Sequence, residues 1–229
     1  MRNNLILLCM MLAALGCGNK AIEDGFQRND VHTISAGWVS AFAIPVSDEQ
    51  VILVDTGGEE DAASTLLGLE ALGYAPEDVS HIFITHGHKD HVAGHKFFED
   101  AVLVGFAEDE PLIEEKLGES LVLDIPLVDG EITDIEGIEI EAFHLPGHTD
   151  GNATYLIHKV MLMGDTAMGN EDGTLSEPPG FFSDDEEAVK NQIKALWSRL
   201  EDRKDDVEWL FFSHTGAHEG IEGLRVYSE

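Results

Sequence analysis

Short runs of apolar residues, each ended by turn residues, divide most of the chain into candidate strands. The runs at 39–46 and 51–54, the second of which ends at Asp55-Thr56-Gly57-Gly58, are typical of two paired strands. A third run, at 79–85, leads directly into a histidine-rich segment. Because Gly or polar residues separate the later runs, we expect those to pair antiparallel. Further strands are predicted at 101–106, 121–127, 138–143, 153–157, 160–163 and 207–212.

Three other segments carry apolar residues at helical spacing. In 61–72 they recur three or four positions apart, and Gly73 follows as a C-terminal cap. Residues 111–117 predict a short helix. Ser183 and Glu186 fit the capping-box pattern, so a longer helix is predicted to begin there. The apolar face of this helix consists of Val189, Ile193, Leu196, Trp197 and Leu200.

The first 16 residues have the pattern of an export signal. Arg2 is their only charged side chain, and the apolar run at 5–15 is too short to span a bilayer as a helix. This run ends in Ala14-Leu15-Gly16-Cys17, which resembles the lipobox of bacterial lipoproteins, whose cysteine carries the lipid.

We therefore expect a lipoprotein-type signal peptide at 1–16, a lipid anchor at Cys17, a tether at 17–31 and one mixed α/β domain at 32–229. No repeat or low-complexity linker interrupts that domain. The protein would be exported and lipid-anchored to a bacterial membrane, on its periplasmic or extracellular face. Secretion as a soluble protein and a buried N-terminal segment are the alternatives.

The two cysteines, Cys9 and Cys17, both precede the predicted domain. That domain therefore has no thiol for a disulfide, for metal binding or for nucleophilic attack. Its chemistry must come from other residue types.

Acidic residues far outnumber basic residues in this chain. Forty-five Asp and Glu against 13 Lys and Arg give a formal net charge of −32. Such a charge repels DNA, RNA and anionic lipid head groups, so we expect no nucleic-acid partner. We interpret the charge as a solvated exterior, with an acidic docking surface as the alternative.

The densest group of histidines lies directly after the predicted strand at 79–85. His86, His88 and His91 occur within six residues, together with Asp90. In an extended loop His86 and His88 project to the same side and can meet one ion, while Asp90 and His91 lie past the bend and can face a second. Imidazole and carboxylate ligands without thiolate suit Zn, Fe or Mn. A solvated polar loop is the alternative interpretation.

Five short motifs follow one another along residues 32–229. They are Asp55-Thr56-Gly57-Gly58, Thr85-His86-Gly87-His88-Lys89-Asp90-His91, Pro146-Gly147-His148-Thr149, Met163-Gly164-Asp165-Thr166 and Ser213-His214-Thr215-Gly216. Together and in this order they resemble the motifs of the metallo-β-lactamase superfamily. That resemblance implies an α/β fold, an αββα sandwich of two mixed β-sheets flanked by helices.

The resemblance also implies a ligand set for two divalent metal ions, with zinc as the first expectation and Fe or Mn as alternatives. One ion would be held by His86, His88 and His148, and the other by Asp90, His91 and His214, with Asp165 bridging both. Asp90 and Asp165 would be the catalytic carboxylates, and Asp55 would support the metal loop.

The implied reaction is hydrolysis of a small ester, lactone or thioester through a metal-bound hydroxide, since paired cations lower the pKa of water and polarise a carbonyl. The motif set is closer to the glyoxalase II and lactonase branches than to true β-lactamases. A mononuclear iron persulfide dioxygenase and a non-catalytic, metal-bearing surface binding protein are the alternatives.

Three features remain open at this point. Residues 169–182 are irregular and end in Phe181-Phe182, so they form either a substrate cover or a packed connector. His95 and His218 follow predicted ligands by four residues and lie either beside the site or at the surface. The sequence does not indicate an oligomeric state.

Overall fold

The first half of the chain forms a seven-stranded sheet in the computed structural model, which describes residues 22–228. Strands β1 to β4 pair antiparallel, and β4 to β7 pair parallel. The strands lie in chain order: β1 (Gln27–Arg28), β2 (Val31–Ala36), β3 (Val39–Ser47), β4 (Gln50–Val54), β5 (Val79–Phe83), β6 (Val102–Gly105) and β7 (Ile125–Pro126).

The second half forms a six-stranded sheet, in the spatial order β15-β14-β11-β10-β9-β8. All its neighbouring strands are antiparallel except β11 and β14. Its strands are β8 (Ile132–Ile135), β9 (Ile138–His144), β10 (Ala153–Ile157), β11 (Val160–Leu162), β14 (Trp209–Phe211) and β15 (His218–Glu219). A separate two-stranded hairpin contains β12 (Met168–Gly169) and β13 (Leu175–Ser176).

Helices cover the outer face of each sheet. They are α1 (Ala63–Leu72), α2 (Lys89–Val92), α3 (Glu110–Leu117) and α4 (Glu186–Leu200). Short 3₁₀ turns precede several elements, including those at Ala107–Asp109 and Gly180–Phe182. Among residues 22–228, no helix has the length and apolar character needed to cross a membrane.

Three apolar cores show how these layers stack. Phe42 of β3 and Tyr155 of β10 belong to the core between the two sheets. Leu69 of α1 packs on the outer face of the first sheet, and Leu196 of α4 packs on the outer face of the second. The predicted αββα sandwich of two mixed sheets is therefore confirmed.

Parallel pairing in the first sheet determines where the polar loops meet. Strands β4, β5 and β6 all end at the same edge, because parallel strands point their carboxyl ends in one direction. Asp55, the loop that begins at Thr85, and Asp109 follow these three strands. The fold thus gathers three separate segments at one edge of the sandwich.

The structure places several boundaries differently from the sequence prediction. Strands β2 and β8 were not predicted, and the predicted strand at 121–127 contains only the two paired residues of β7. Short strands of this kind depend on pairing with a neighbour that the local sequence does not reveal.

The start of the packed domain also differs from the predicted tether at 17–31. Ile22 is only 6% exposed and belongs to the core between the sheets, and Gln27–Arg28 pairs with β2. Residues 22–31 are therefore part of the folded layer. Cys17, the predicted signal peptide at 1–16 and the rest of the tether lie outside the described residues.

The predicted capping box at Ser183 and Glu186 is wrong. Helix α4 begins one residue after its N-cap, Asp185, whose side chain accepts a hydrogen bond from the backbone N–H of Ala188. Aspartate is as good an N-cap as serine, and here it lies two positions closer to the helix. The Ser183 hydroxyl is free to contact another element.

Candidate metal centre

Three ring nitrogens converge at the edge where the strands end. His86 Nε2 lies 3.1 Å from His88 Nδ1, and His148 Nε2 lies 3.0 Å from the same His88 atom. Nitrogen ligands bound tetrahedrally about 2.0 Å from a zinc ion lie about 3.3 Å from one another. The spacing of this histidine triad, His86, His88 and His148, therefore fits one divalent cation.

A second group lies beside the histidine triad and combines carboxylate with imidazole. The ligand atoms of Asp90, His91 and His214, which we call the mixed triad, lie within 4.8 Å of one another. The closest measured pair is His214 Nε2 and Asp90 Oδ2, at 3.4 Å. This arrangement has the donor types of a second cation site.

Asp165 lies between the two triads. Its Oδ2 is 3.5 Å from His148 Nε2 and 3.2 Å from His214 Nε2, while its Oδ1 is 3.7 Å from His91 Nε2. One carboxylate therefore faces imidazoles from both triads. All seven ligands expected from the sequence are brought to one place, although they come from four separate loops.

The imidazoles of the mixed triad are held in fixed tautomers. His91 Nδ1 lies 2.7 Å from Asp55 Oδ2, and His214 Nδ1 lies 3.0 Å from the backbone oxygen of Trp38. Since carbonyl and carboxylate oxygens only accept, both Nδ1 atoms carry hydrogen, so the neutral form of each ring, the form that binds a cation, turns its Nε2 lone pair toward the site. His91 Nε2 is buried and has no hydrogen-bond partner. A cation at this position would satisfy that atom, so the residues present fit a metal.

The histidine triad shows the same outer support. The single hydrogen of Thr85 Oγ1 is donated to Asp55. In the hydrogen bond between Thr85 Oγ1 and His86 Nδ1, at 3.1 Å, His86 is therefore the donor. His148 Nδ1 lies 3.2 Å from Ser183 Oγ. Partners of this kind orient metal-binding imidazoles and raise their basicity.

Burial keeps the histidine triad neutral. It lowers the pKa of His148 to about 4, although Asp165 opposes the shift. Burial also lowers the pKa of His88, and together with nearby His91 it holds the pKa of His86 well below its ordinary value. The lone pairs of these rings are therefore available to a cation at neutral pH.

The mixed triad and Asp165 attract positive charge. Burial lowers the pKa of His91, but three carboxylates, led by that of Asp55, raise it further, to about 10. Burial likewise opposes protonation of His214, yet Asp165 raises its pKa. The pKa of Asp165 lies well below its ordinary value because His214 and His91 outweigh burial. Carboxylates that favour positive charge here would also favour a metal ion.

Solvent reaches the cluster at two of its ligands. The side chains of Asp90 and His214 are 22% and 25% exposed, whereas the side chain of His91 is completely buried. The backbone oxygen of Trp38, whose side chain is 53% exposed, contacts His214. Phe181, which is 68% exposed, precedes the Ser183 contact with His148 by two residues. The end of segment 169–182 therefore lies beside the cluster.

His95 and His218 have other contacts. His95 Nδ1 donates to the backbone oxygen of Val92, and His218 Nε2 donates to that of Asn170, each at 2.9 Å. Neither belongs to any group in the described part of the chain that could hold a metal.

Sequence reasoning missed three residues that contact the loops of the site. Ser183 was interpreted as a helix cap, and Trp38 contributes a backbone oxygen, which no side-chain pattern reveals. Asp109 lies behind the ligand loops and was not singled out. Its position after the strand at 101–106 could have indicated it, by the argument that located the histidine loop.

The sequence of this chain is similar to those of known lactonases and hydrolases. The sequence model described as the metallo-beta-lactamase superfamily matches residues 36–214. An N-acyl homoserine lactonase from a Bacillus species is 30% identical over 181 residues, which are 75% of this chain and 68% of the lactonase. A hydroxyacylglutathione hydrolase from Citrobacter koseri is 32% identical over 135 residues, 57% of this chain and 48% of that enzyme.

Solved structures share the architecture. A metallo-beta-lactamase family protein from Thermus thermophilus superposes with a TM-score of 0.68 at 22% identity, over 87% of this chain and 78% of that chain. A subclass B3 metallo-beta-lactamase of Bradyrhizobium japonicum gives a TM-score of 0.63 at 19% identity, over 85% and 78%. At these identities the likeness concerns the fold.

Proposed function

The chain belongs to the metallo-β-lactamase superfamily, and on that basis we propose that it is a dinuclear metal-dependent hydrolase of a small ester, lactone or thioester. The observation that carries the proposal is the convergence of the histidine triad, the mixed triad and Asp165 within one cluster. Relatives that are a lactonase and a hydroxyacylglutathione hydrolase support the substrate class.

The histidine triad would hold one divalent cation, the mixed triad a second, and Asp165 would contact both. Zinc is the cation we propose, because neutral imidazoles and carboxylates without thiolate suit it. Such ions supply a water of lowered pKa and polarise a carbonyl oxygen.

The two carboxylates of the cluster, Asp165 and Asp90, have different roles. Asp165, whose side chain is 13% exposed and whose pKa is strongly lowered, stays ionised and holds His148 and His214 in place. Asp90 is more accessible, at 22%. We assign Asp90 to accept the proton of the attacking water at a carboxylate oxygen. The water oxygen bonds to the acyl carbon, the bond to the leaving oxygen or sulfur breaks, and the proton passes to that leaving atom.

The surroundings favour a small acyl compound without several negative charges. Trp38, whose backbone oxygen contacts His214, and Phe181, two residues before the Ser183 contact with His148, both carry exposed aromatic rings, and we expect these rings to contact an apolar acyl group. The net charge of −32 repels polyanions. Nucleic acids and polyphosphates are therefore poor candidates.

Metal analysis of the purified protein, combined with lactone, thioester, phosphodiester and β-lactam substrates, tests the proposal. Two metals per chain with lactone or thioester hydrolysis are expected. His86→Ala and Asp165→Ala should lower metal content and turnover together, whereas His158→Asn, at an exposed turn, should leave both unchanged. One iron with sulfite formation would instead indicate a persulfide dioxygenase, and bound metal without any turnover would indicate a binding protein.

We also propose that the protein is exported and lipid-anchored at Cys17. The support is the signal-like sequence of residues 1–17. Cys17→Ser should move the protein from the membrane fraction to the soluble fraction. Unchanged membrane attachment of that variant would contradict the anchor.

A further inference from the structure

A buried carboxylate lies beneath the ligand loops without being a ligand. Asp109 ends the 3₁₀ turn that follows β6 and is only 2% exposed. No Lys or Arg side chain within residues 22–228 forms an ion pair with it at 4 Å or less. Burying a carboxylate without a cationic partner costs free energy unless hydrogen bonds offset the loss of water.

Three hydrogen bonds replace that water, and all come from the two loops of the histidine triad. Asp109 Oδ2 accepts from the backbone N–H of Gly87 at 2.6 Å and from Thr149 Oγ1 at 2.7 Å. Asp109 Oδ1 accepts from the backbone N–H of Gly151 at 2.7 Å. One side chain therefore joins a loop of the first sheet to a loop of the second.

The bonded atoms lie next to the ligands in the chain. Gly87 stands between His86 and His88, and Thr149 follows His148 directly. The Asp109 carboxylate thus holds both the loop that carries His86 and His88 and the loop that carries His148. His88 Nδ1 lies close to the ring nitrogens of His86 and His148 between these two loops. A shift of either loop would change those 3.0 and 3.1 Å separations.

Asp109 packs closely against both glycines that donate to it. A Cβ on Gly151 would lie 2.8 Å from Asp109 Cβ and Cγ, so any larger residue would displace the carboxylate. A Cβ on Gly87 would lie 3.0 Å from Ile113 Cγ1 and 3.2 Å from the backbone oxygen of Asp109, which is also a tight contact.

We infer that Asp109 is a positioning residue that sets the geometry of the histidine triad and so its affinity for a divalent cation. The inference rests on the proposed function only in requiring that this triad binds a cation. Among the described residues, the Asp109 carboxylate forms hydrogen bonds only with the loops of the histidine triad. Asp55 instead bonds directly to His91 of the mixed triad and reaches His86 through Thr85.

Asp109→Asn tests this inference with little change in volume. The amide has one acceptor oxygen, so it can serve either Gly151 or the pair formed by Gly87 and Thr149, and its NH₂ then faces a donor. We expect the zinc affinity of the histidine triad to fall by roughly 10- to 100-fold, as for other outer partners of metal ligands. Competition with a chromophoric chelator measures this affinity independently of turnover.

Two variants allow the cation affinity of each triad to be measured separately. His214→Ala weakens the mixed triad, and His148→Ala weakens the histidine triad. Asp109→Asn is then added to each of these two variants. The loss of zinc affinity is expected in the His214→Ala background and should be less than about 3-fold in the His148→Ala background, because the hydrogen bonds of Asp109 end at the backbone and hydroxyl beside the ligands of the histidine triad and not at His91 or His214. An equal loss in both, or a loss in neither, would overturn the inference.

A second pair of variants, with smaller changes, distinguishes a loss of zinc affinity from a loss of folding. Thr149→Val removes only the hydroxyl that bonds to Asp109, and Thr149→Ser restores a hydroxyl at that position. We expect Val to weaken zinc binding and Ser to recover most of it. Thr154→Val is the matched control, since Thr154 Oγ1 is buried without a hydrogen-bond partner.

The melting temperature of each metal-free variant shows whether its fold is intact. If Thr149→Val melts like the unsubstituted protein and binds zinc equally well, the inference fails while the proposed function stands. If the unsubstituted protein binds no divalent cation, both fail together.

Discussion

At the scale of single residues, the site depends on side chains that do not bind metal. Asp55 accepts from Thr85 N through Oδ1, and from Thr85 Oγ1 and His91 Nδ1 through Oδ2. It is completely buried. Its role is to decide which nitrogen of His91 carries hydrogen, and hence which nitrogen faces the cluster.

Asp55→Asn is expected to weaken the mixed triad. The amide can still accept from Thr85 N, but its NH₂ would face His91 Nδ1 and favour the tautomer with hydrogen on Nε2. That tautomer has no lone pair toward the site, so zinc affinity should fall by roughly 10- to 100-fold. Chelator competition measures the loss, and Asp61→Asn, at an exposed carboxylate, is the control. An unchanged affinity would show that Asp55 does not set the tautomer.

At the scale of elements, the start of α4 separates helix capping from metal support. Asp185 caps the helix, while Ser183 contacts His148. Asp185→Ala should lower the free energy of unfolding by about 1 kcal/mol. Ser183→Ala should leave that energy nearly unchanged in the metal-free protein and weaken zinc binding instead.

Urea unfolding of the metal-free variants and zinc titration distinguish these two roles. Asp184→Ala, at the exposed position between them, is the control for both measurements. A loss of unfolding free energy in Ser183→Ala as large as in Asp185→Ala would restore the capping-box interpretation.

A second contact between elements gives a dependence on pH. Burial raises the pKa of Asp129, but hydrogen bonds from Arg199 of α4 and from His144 N lower it further, to below its ordinary value of 3.8. The carboxylate therefore stabilises the fold above that pH, and the contribution is lost as pH falls through the folded pKa.

Asp129→Asn should lower the free energy of unfolding at pH 7 by less than about 1 kcal/mol, because the pair is largely exposed. The difference from the unsubstituted protein should shrink below pH 3.8. Denaturant unfolding from pH 7 to pH 3 measures it, with Glu139→Gln at an exposed strand position as the control. A difference that stays constant with pH would contradict this role of the carboxylate.

At the scale of the whole molecule, the net charge of −32 acts on any charged substrate. Raising the ionic strength from 0.02 to 0.5 M shortens the Debye length from about 20 Å to about 4 Å. The KM of an anionic ester should therefore fall by several-fold, roughly 3 to 10, while that of a neutral ester of the same shape stays nearly constant. Steady-state kinetics on the matched esters measure this, and equal changes for both would show that the field does not reach the site.

Particular residues show which features the sequence predicted and which it did not. The histidine loop was located correctly because it follows the predicted strand at 79–85 and its donors are close together in the chain. Strand β8 was missed because its short polar sequence becomes a strand only by pairing with β9. Ser183 was misassigned because a local pattern matched a cap, whereas a contact 35 residues away uses the hydroxyl.

The sequence by itself indicated an α/β domain through the periodicity of its apolar residues, and its five motifs identified the superfamily, a resemblance that implied the layered fold and the seven expected ligands. Both signals are local, since the members of each run or motif are close along the chain. Only the tertiary structure decided which nitrogen of His91 faces the cluster, that the backbone oxygen of Trp38 contacts His214, and that Asp109 joins the two loops of the histidine triad. Those contacts join residues that are distant in the chain, so they exist only once the two sheets have packed together.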